Sequence, residues 1–546
     1  MLLPSLLVTV FRMLVLPVEF EDRKFVQTQE QLQAEVNEVQ RYFDRQFGGE
    51  RTFRFDLAPV SPLPRALAWY GANRPDQRDF RLDEAVREAC ISASGCVENF
   101  GRYDNDGDGT VEAVCLLYPG PGEDNGGGED DIWPQFGRLS ANGGSRLDLN
   151  GKRIDGYIAC PAGRPEIFAH EFGHALGLCD LYDTDGEASG GTTPGLWGLS
   201  LMDVGYNKGE RIPDFTAVEY EILGLGRCDT LTSGTYTLSP LQQGRRYAKI
   251  LTDNEGECFL FEARAGGLLV YHLDRSDAPA GFCERLNAEL SARERWEYGA
   301  VNDNPGHPCV RIIPARPGAT TLAGALFPQA DAASFGSDTP ARMRAWSGRA
   351  PGLALTGIRA DAGGGNVTFK VIEPLELTDL SVYQDAAVIR WRTDGELEVL
   401  GYEVRWTDGT DSRTLDVAAD ATGCTIEGLK PQTGYEFSVL VHSTDDGRFS
   451  VGGAFTTKFY RSGTYPYIYL NGAARNADGS FPAGSRLTLR VFNAVGVQEI
   501  RWFIDGERLV PETDGRNTLT RPGLLRAQIL YADGTSESIF KQIEIR

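Results

Sequence analysis

Histidine is scarce in this chain, with five in 546 residues, and methionine is scarcer still, with four. Residues this rare do not cluster through abundance, so a close pair of histidines calls for its own explanation. Positive charge is also short. Lysine and arginine number 54 against 77 aspartates and glutamates, giving a net charge of −23. A surface of that sign repels phosphate, which excludes a nucleic-acid partner. No apolar run is long enough to cross a bilayer. The apolar start, Met1 to Val10, lacks the basic segment and small-residue cleavage site of a signal peptide, so no export signal or prosegment is visible. The ten cysteines include no CxxC pair, which removes redox-motif and zinc-ribbon chemistry. Their even count fits disulfides in an oxidising compartment as well as it fits scattered buried thiols. Cys90 and Cys96 are close enough in sequence to close a small loop.

What is present is concentrated in one stretch, His170-Glu171-Phe172-Gly173-His174-Ala175-Leu176-Gly177-Leu178-Cys179-Asp180. Histidines four apart on a helix project from one face, one turn apart. Both imidazoles can then bind one zinc ion, with Glu171 placed to act on water at the metal. Gly177 ends the helix, because glycine takes the left-handed conformation cheaply. The reversed chain brings Asp180 back toward the metal as third ligand. Three protein ligands leave one position open, the mark of a catalytic zinc site. Cys179 adjoins that ligand and is a weaker competitor for the same metal, since thiolate also binds zinc.

A chain of this length holds three or four domains. Arg12 to Phe20 reads as a buried strand, and Thr28 to Phe47 as an amphipathic helix with Leu32, Val36, Val39 and Phe43 on one face. Arg51 to Leu57 and Ala113 to Tyr118 read as strands, Asp83 to Cys90 as a helix, and Arg146 to Ala159 as a strand pair. A substrate backbone is expected to pair with an edge strand near Arg153 to Ala159. Pro165 opens the histidine helix at its first turn. Strands alternating with helices predict an α+β (α/β-type) catalytic unit over residues 1–230. Short apolar alternations predict a β-rich subdomain over 231–373, then all-β sandwiches over 374–458 and 459–546.

A second motif precedes the helix. Asp104, Asp106 and Asp108 stand at alternate positions, followed by Gly109, Thr110 and Glu112. Hard oxygens at that spacing wrap one calcium ion. The glutamate an EF-hand needs at position twelve is replaced by Cys115, so the loop is a shorter calcium type. His272, Asp274, Asn302, Asp303 and His307 are a further polar group, read as hydrogen-bonded structure in preference to a second metal site or part of the cleft wall.

These motifs resemble a known family. The HExxHxxGxxD pattern followed by Met202 in a tight turn resembles the metzincin clan of zinc endopeptidases. The fuller set resembles the immune-inhibitor-A-like peptidases: Val18-Glu19-Phe20-Glu21-Asp22, the calcium-type loop, Asp131-Ile132-Trp133-Pro134, Asp180-Leu181-Tyr182-Asp183, Trp197 to Met202, Phe215 to Gly224 and Gly267 to Asp274. The resemblance covers about the first 370 residues. It implies His170, His174 and Asp180 as zinc ligands, Glu171 as catalytic base, and Met202 as the hydrophobic floor under the metal. Tyr206 is a weaker candidate for an oxyanion donor. Thr378 to Lys458 resembles a fibronectin type III module, with a tyrosine corner at Tyr435. Residues 459–546 read as an immunoglobulin-like sandwich.

The expected function is therefore that of a secreted zinc-dependent endopeptidase, a monomer acting on proteins or peptides, including host extracellular proteins or glycoproteins, with calcium as a second cofactor. The competing readings are a surface adhesin that keeps the peptidase fold, and a narrow peptidase for glycoproteins such as mucins. Substrate specificity is not legible, because pocket residues come from loops whose positions sequence does not set.

Overall fold

The computed structural model describes residues 10–546 apart from 76, 98, 204–210, 330–331, 364, 396, 445–447, 459–465, 478, 511, 513–515 and 533. The chain divides into two units, Met1–Ile372 and Glu373–Arg546. It is a multidomain protein of many β-sheets and some helices.

The first unit is built on strands β1 (Val10–Glu19), β2 (Thr52–Leu57), β3 (Val114–Tyr118), β4 (Gln135–Arg138) and β5 (Gly156–Pro161), in the order β2-β1-β3-β5-β4. The first three and β5 run parallel, and β4 is antiparallel to β5. The parallel strands β1, β3 and β5 are near-continuous apolar runs because both faces of the sheet are covered. Side chains alternate between faces, so Met13, Val15, Cys115 and Leu117 enter one core while Leu14, Leu16, Val114 and Leu116 enter the other. Helix α1 (Gln29–Phe47) and helix α3 (Pro165–Ala175) bury Leu32, Val36, Val39, Phe43, Phe168 and Phe172 in the first core. Helix α2 (Leu82–Ala93) covers the other face. The start of α1 is set by Thr28, which accepts from the Gln31 amide while the Gln31 side chain accepts from the Thr28 amide.

The edge of the sheet differs from the sequence expectation. Arg153 lies in a short hairpin strand, Lys152–Ile154, and β5 is an interior strand. The outer strand is β4, formed within the glycine- and aspartate-rich loop that shows no strand periodicity. Its four residues are too few for alternation to be read, and pairing with β5 creates it.

Helix α4 (Ala217–Leu223) leads into the β-rich part. One sheet runs Arg227–Thr230, Arg246–Leu251, Glu257–Arg264, Gly267–Asp274 and Val310–Ile312; the other runs Gly234–Leu238, Val367–Ile372 and Ala354–Ala360. Leu260, Leu269 and Tyr271 join the core that holds Phe172, whereas Phe259, Phe261 and Val270 turn to a separate one.

In the second unit, a three-stranded sheet (Leu375–Val382, Ala386–Thr393, Gly423–Glu427) accompanies a four-stranded one (Ser412–Val417, Val399–Thr407, Gly434–Ser443, Arg448–Thr456). Trp391 is buried, and the Lys430 amide donates to the Tyr435 hydroxyl at 2.9 Å, the expected tyrosine corner. A second pair of sheets over Tyr467–Ile543 closes on Ile468, Leu487, Trp502, Leu525 and Ile529. All ten cysteines are free thiols, Cys90 and Cys96 included, and Cys115 and Cys160 lie Sγ to Sγ at 3.6 Å in the first core. Among the described residues no helix is long and apolar enough to cross a membrane.

Candidate metal centre

Helix α3 follows β5 after a tight turn and begins with Pro165 at its first position. Its N-terminus is held from α1. The Glu35 carboxylate accepts from the Gly163 amide at 2.8 Å and the Arg164 amide at 3.3 Å. These are amides no helical carbonyl can reach, and a negative group there also opposes the helix dipole. The helix ends at Ala175, and Gly177 takes φ +95° as the chain reverses, with the Leu178 amide bonded back to the Gly173 carbonyl at 3.0 Å.

That reversal carries Asp180 to the histidines. His170 Nε2 lies 3.1 Å and His174 Nε2 3.3 Å from Asp180 Oδ1. The opposite ring nitrogens are committed. His170 Nδ1 donates to the Leu201 carbonyl and His174 Nδ1 to the Leu178 carbonyl, both at 2.9 Å, since a carbonyl can only accept. In the neutral rings each Nε2 therefore presents a lone pair, and both lone pairs face an anionic oxygen. Asp180 Oδ1 is buried and meets no hydrogen-bond donor. Three lone-pair donors converging this way suit a cation between them. With no cation between them a proton takes its place: burial disfavours charge on His174, yet the Asp180 carboxylate outweighs it and pushes the metal-free imidazole up to about 9. Asp180 is held well below the ordinary carboxylate range by its two histidine contacts, against the effect of burial.

Glu171 is buried beside them. Burial raises its pKa, partly offset by the two histidines. The outer strand β4 packs against α3 beside it. Met202 is fully buried beneath the helix, so close that a Cβ on Gly173 would come to 2.6 Å from its Sδ. The Leu181 amide bonds the Met202 carbonyl at 2.8 Å, joining the Asp180 loop to the methionine turn. Ser200 Oγ accepts from the Met202 amide and donates to the buried Glu219 of α4, which anchors that turn. Tyr206 lies outside the described residues. Cys179 turns away: its thiol donates to the Trp296 carbonyl at 3.3 Å, and burial pushes it up to about 11.

The aspartate loop also gathers. Asp104, Asp106 and Asp108 bring carboxylate oxygens within 4.8 Å of one another. Glu112 instead accepts from the Asn105 and Asp106 amides and from the Asn105 side chain, bracing the loop from within. Thr110 follows on a short strand, its amide bonded to Asp108 at 2.7 Å. Lys152 Nζ reaches Asp104 Oδ2 at 2.5 Å.

His272 pairs with Glu257 at 2.7 Å and His307 with Asp274 at 2.8 Å, the Trp346 ring stacking on both imidazoles. Asn302 donates to the Leu181 and Val310 carbonyls. This group splits into separate hydrogen-bonded pairs, while Asp303 turns elsewhere. Two residues escaped the sequence reading. Tyr182, whose phenol is pushed up by burial and by the nearby Asp180 carboxylate, stood in a quoted motif but without a role. Glu35 had no signal, because its partners are 128 and 129 residues away.

Glu35 carries a testable pH dependence. Burial, against the two backbone hydrogen bonds, pushes its carboxyl up to about 7, above the ~4.3 of an unfolded glutamate. The folded state then holds the proton more tightly. Its contribution is complete below pH ~4.3 and is lost as pH rises through about 7, a change on the order of 3 kcal/mol. Asp79, also pushed up to about 7 by burial, acts in the same direction. The expected result is that Glu35→Gln narrows the fall in unfolding free energy between pH 4 and 8 relative to the parent. Parallel curves for the two proteins would refute it.

Residues 16–223 match the family described as immune inhibitor A peptidase M6, catalytic domain, and residues 373–451 match the fibronectin type III domain. Among curated proteins, immune inhibitor A of Bacillus thuringiensis subsp. alesti is 27% identical over 181 residues, 28% of this chain and 26% of that one. Pre-pro-metalloprotease PrtV of Vibrio cholerae is 28% identical over 185 residues, 28% of this chain and 20% of that one. The chain thus spans about a quarter or less of these relatives. Among solved structures, an FN3 domain of human collagen XX is 23% identical, covers 15% of this chain and 85% of that one, and has a TM-score of 0.14. Residues 16–223 therefore belong to the immune inhibitor A peptidase M6 catalytic-domain family, and residues 373–451 form a fibronectin type III domain.

Proposed function

We propose that the chain is a secreted zinc-dependent endopeptidase of metzincin type, with His170, His174 and Asp180 as the zinc ligands and Glu171 as the base. The observation that carries this is the convergence of two imidazole lone pairs on a buried carboxylate oxygen without a donor. A zinc ion held by these three residues would supply Lewis-acid chemistry, polarising the scissile carbonyl and acidifying water. Glu171 takes the proton of the attacking water on its carboxylate and returns it to the leaving amine. Its burial among apolar side chains keeps that carboxyl basic enough to accept. The free side of β4, the strand packed beside α3, presents backbone groups with which an extended substrate can pair.

The reading includes calcium at Asp104, Asp106 and Asp108, where Asp104 Oδ1 is buried without a donor. Acidic composition and calcium-type ligands suit work outside the cell, where calcium is abundant enough for modest sites. The sandwich units then act as spacers or substrate-docking modules.

Metal dependence is the direct test. 1,10-Phenanthroline, which prefers zinc to calcium, is expected to abolish casein hydrolysis by the full chain, and added zinc to restore it. Hydrolysis unaffected by the chelator would overturn the zinc reading. A chain that binds zinc yet never hydrolyses casein, gelatin or mucin would favour an adhesin.

A further inference from the structure

Asp303, placed by sequence with the distant histidines, sits instead against the loop that follows Asp180. One carboxylate oxygen each of Asp183, Asp185 and Asp303 lies within 4.8 Å of the others. Asp303 is completely buried. Its Oδ1 accepts from the Thr184 amide at 2.9 Å and the Thr184 hydroxyl at 2.8 Å, while Oδ2 is shielded from solvent and meets no donor. Asp185 repeats the pattern: Oδ2 accepts from the Ser189 hydroxyl at 2.6 Å, and Oδ1 is buried without a donor. Asp183 is held rigid by the Asp185, Gly186 and Thr193 amides. Among the described residues no lysine or arginine lies within 4.0 Å of the carboxylates of any of the three, and Arg285 acts on Asp185 only from farther off. Three anions gathered in one place, one completely buried and two with an oxygen that no donor reaches, are not a stable arrangement by themselves.

We infer that Asp183, Asp185 and Asp303 form a calcium site that fastens the zinc-ligand loop to the segment ending at Asp303. The donor set is oxygen only, which disfavours zinc, whose protein sites draw on nitrogen and sulfur. Calcium takes oxygens at ~2.3–2.6 Å, so any two ligands of one ion stand no more than about 5.2 Å apart, a limit that the three carboxylates respect. Magnesium asks for stricter octahedral geometry and keeps most of its water, which a fully buried Asp303 discourages. The position gives the site a consequence. Asp183 is three residues from Asp180, and Asp303 is joined to Thr184 across 119 residues of chain. Asn302, next to Asp303, already grips the Leu181 carbonyl at 2.8 Å. A cation here completes that fastening and holds Asp180 at the histidines.

The site is separable from the Asp104 loop and from catalysis, because its readout is calcium binding. The full chain carrying Asp106→Asn and Asp108→Asn, stripped of metal and reloaded with one equivalent of zinc, is titrated with calcium chloride by calorimetry. One bound calcium per chain is expected, with a higher thermal unfolding midpoint in its presence. Adding Asp303→Asn should remove that binding. Asp185→Asn, at a partly exposed position, should weaken it at least tenfold and decides the matter if the Asp303 variant does not fold. No calcium bound in the parent of this series, or unchanged binding in Asp185→Asn, would overturn the assignment. Loss of binding with intact peptide hydrolysis would leave the site standing and remove only its role in holding Asp180.

Discussion

Glu171→Gln is expected to bind one zinc per chain as the parent does and to lose peptide hydrolysis by ~10²–10⁴-fold or more, the ordinary worth of a positioned general base. In barrier terms this is about 3–5 kcal/mol. The substitution is chosen for its shape. Glutamine fills the same buried space as glutamate, so the packing around position 171 survives while the capacity to take a proton does not. The zinc ligands are His170, His174 and Asp180 under this reading, and none of them depends on Glu171 for its tautomer: both Nδ1 atoms are tied to backbone carbonyls. Zinc content by atomic emission and kcat/KM on a fluorogenic peptide library, measured on the same preparation, separate the two losses. A variant within tenfold of the parent would remove Glu171 from its role. A variant that lost zinc as well would reassign it to holding the site.

Phe172→Ala is expected to cost 3–5 kcal/mol of stability in the first unit, a large share of the ~5–15 kcal/mol that a folded domain possesses. Phe172 sits on the opposite side of α3 from His170 and His174, fully buried. Its ring centroid lies 4.7 Å from that of Phe43, 4.9 Å from Phe55, 5.5 Å from Phe11 and 5.8 Å from Phe53, mostly edge to face. Four rings from β1, α1 and β2 surround it, and they cannot all collapse into the space an alanine leaves. The cavity contribution should therefore be near the top of the range. Urea unfolding followed by tryptophan emission should show a midpoint shift with the slope preserved. A loss below about 1 kcal/mol would mean that the aromatic cluster closes over the gap. Zinc affinity should fall with stability, because Phe172 lies between the residues that carry the metal and the sheet that positions them.

The local parts of the centre were readable because they are governed by helical geometry. Two histidines four apart share a face whatever surrounds them, and a glycine after the helix lets the chain turn back toward them. Asp180 sits within one such turn, so its return needs no knowledge of the rest of the fold. The same holds for the aspartate loop, where alternate residues face one point, and for α1, whose apolar spacing and Thr28 cap mark both its face and its start. The fibronectin type III module was legible for a related reason, since its tyrosine corner lies within a few residues.

Elsewhere the partners are distant, and local spacing carries no information about them. That Glu35 caps the zinc helix, that Met202 lies under Gly173, and that β4 closes the sheet in place of the segment near Arg153 were settled by packing alone. Cys179 was left open beside Asp180 because adjacent residues at a turn point in different directions; the fold aims the thiol at Trp296 and the carboxylate at the histidines. The sequence by itself determined the spacing that brings His170, His174 and Asp180 together and the succession of sheet-rich modules. Only the tertiary structure decided which carboxylates share a point, bringing Asp303 to Asp183 and Asp185 and separating it from His272 and His307. The physical reason is reach. Helix and turn geometry act over a few residues, whereas the meeting of buried charges more than a hundred residues apart depends on how whole sheets and loops pack.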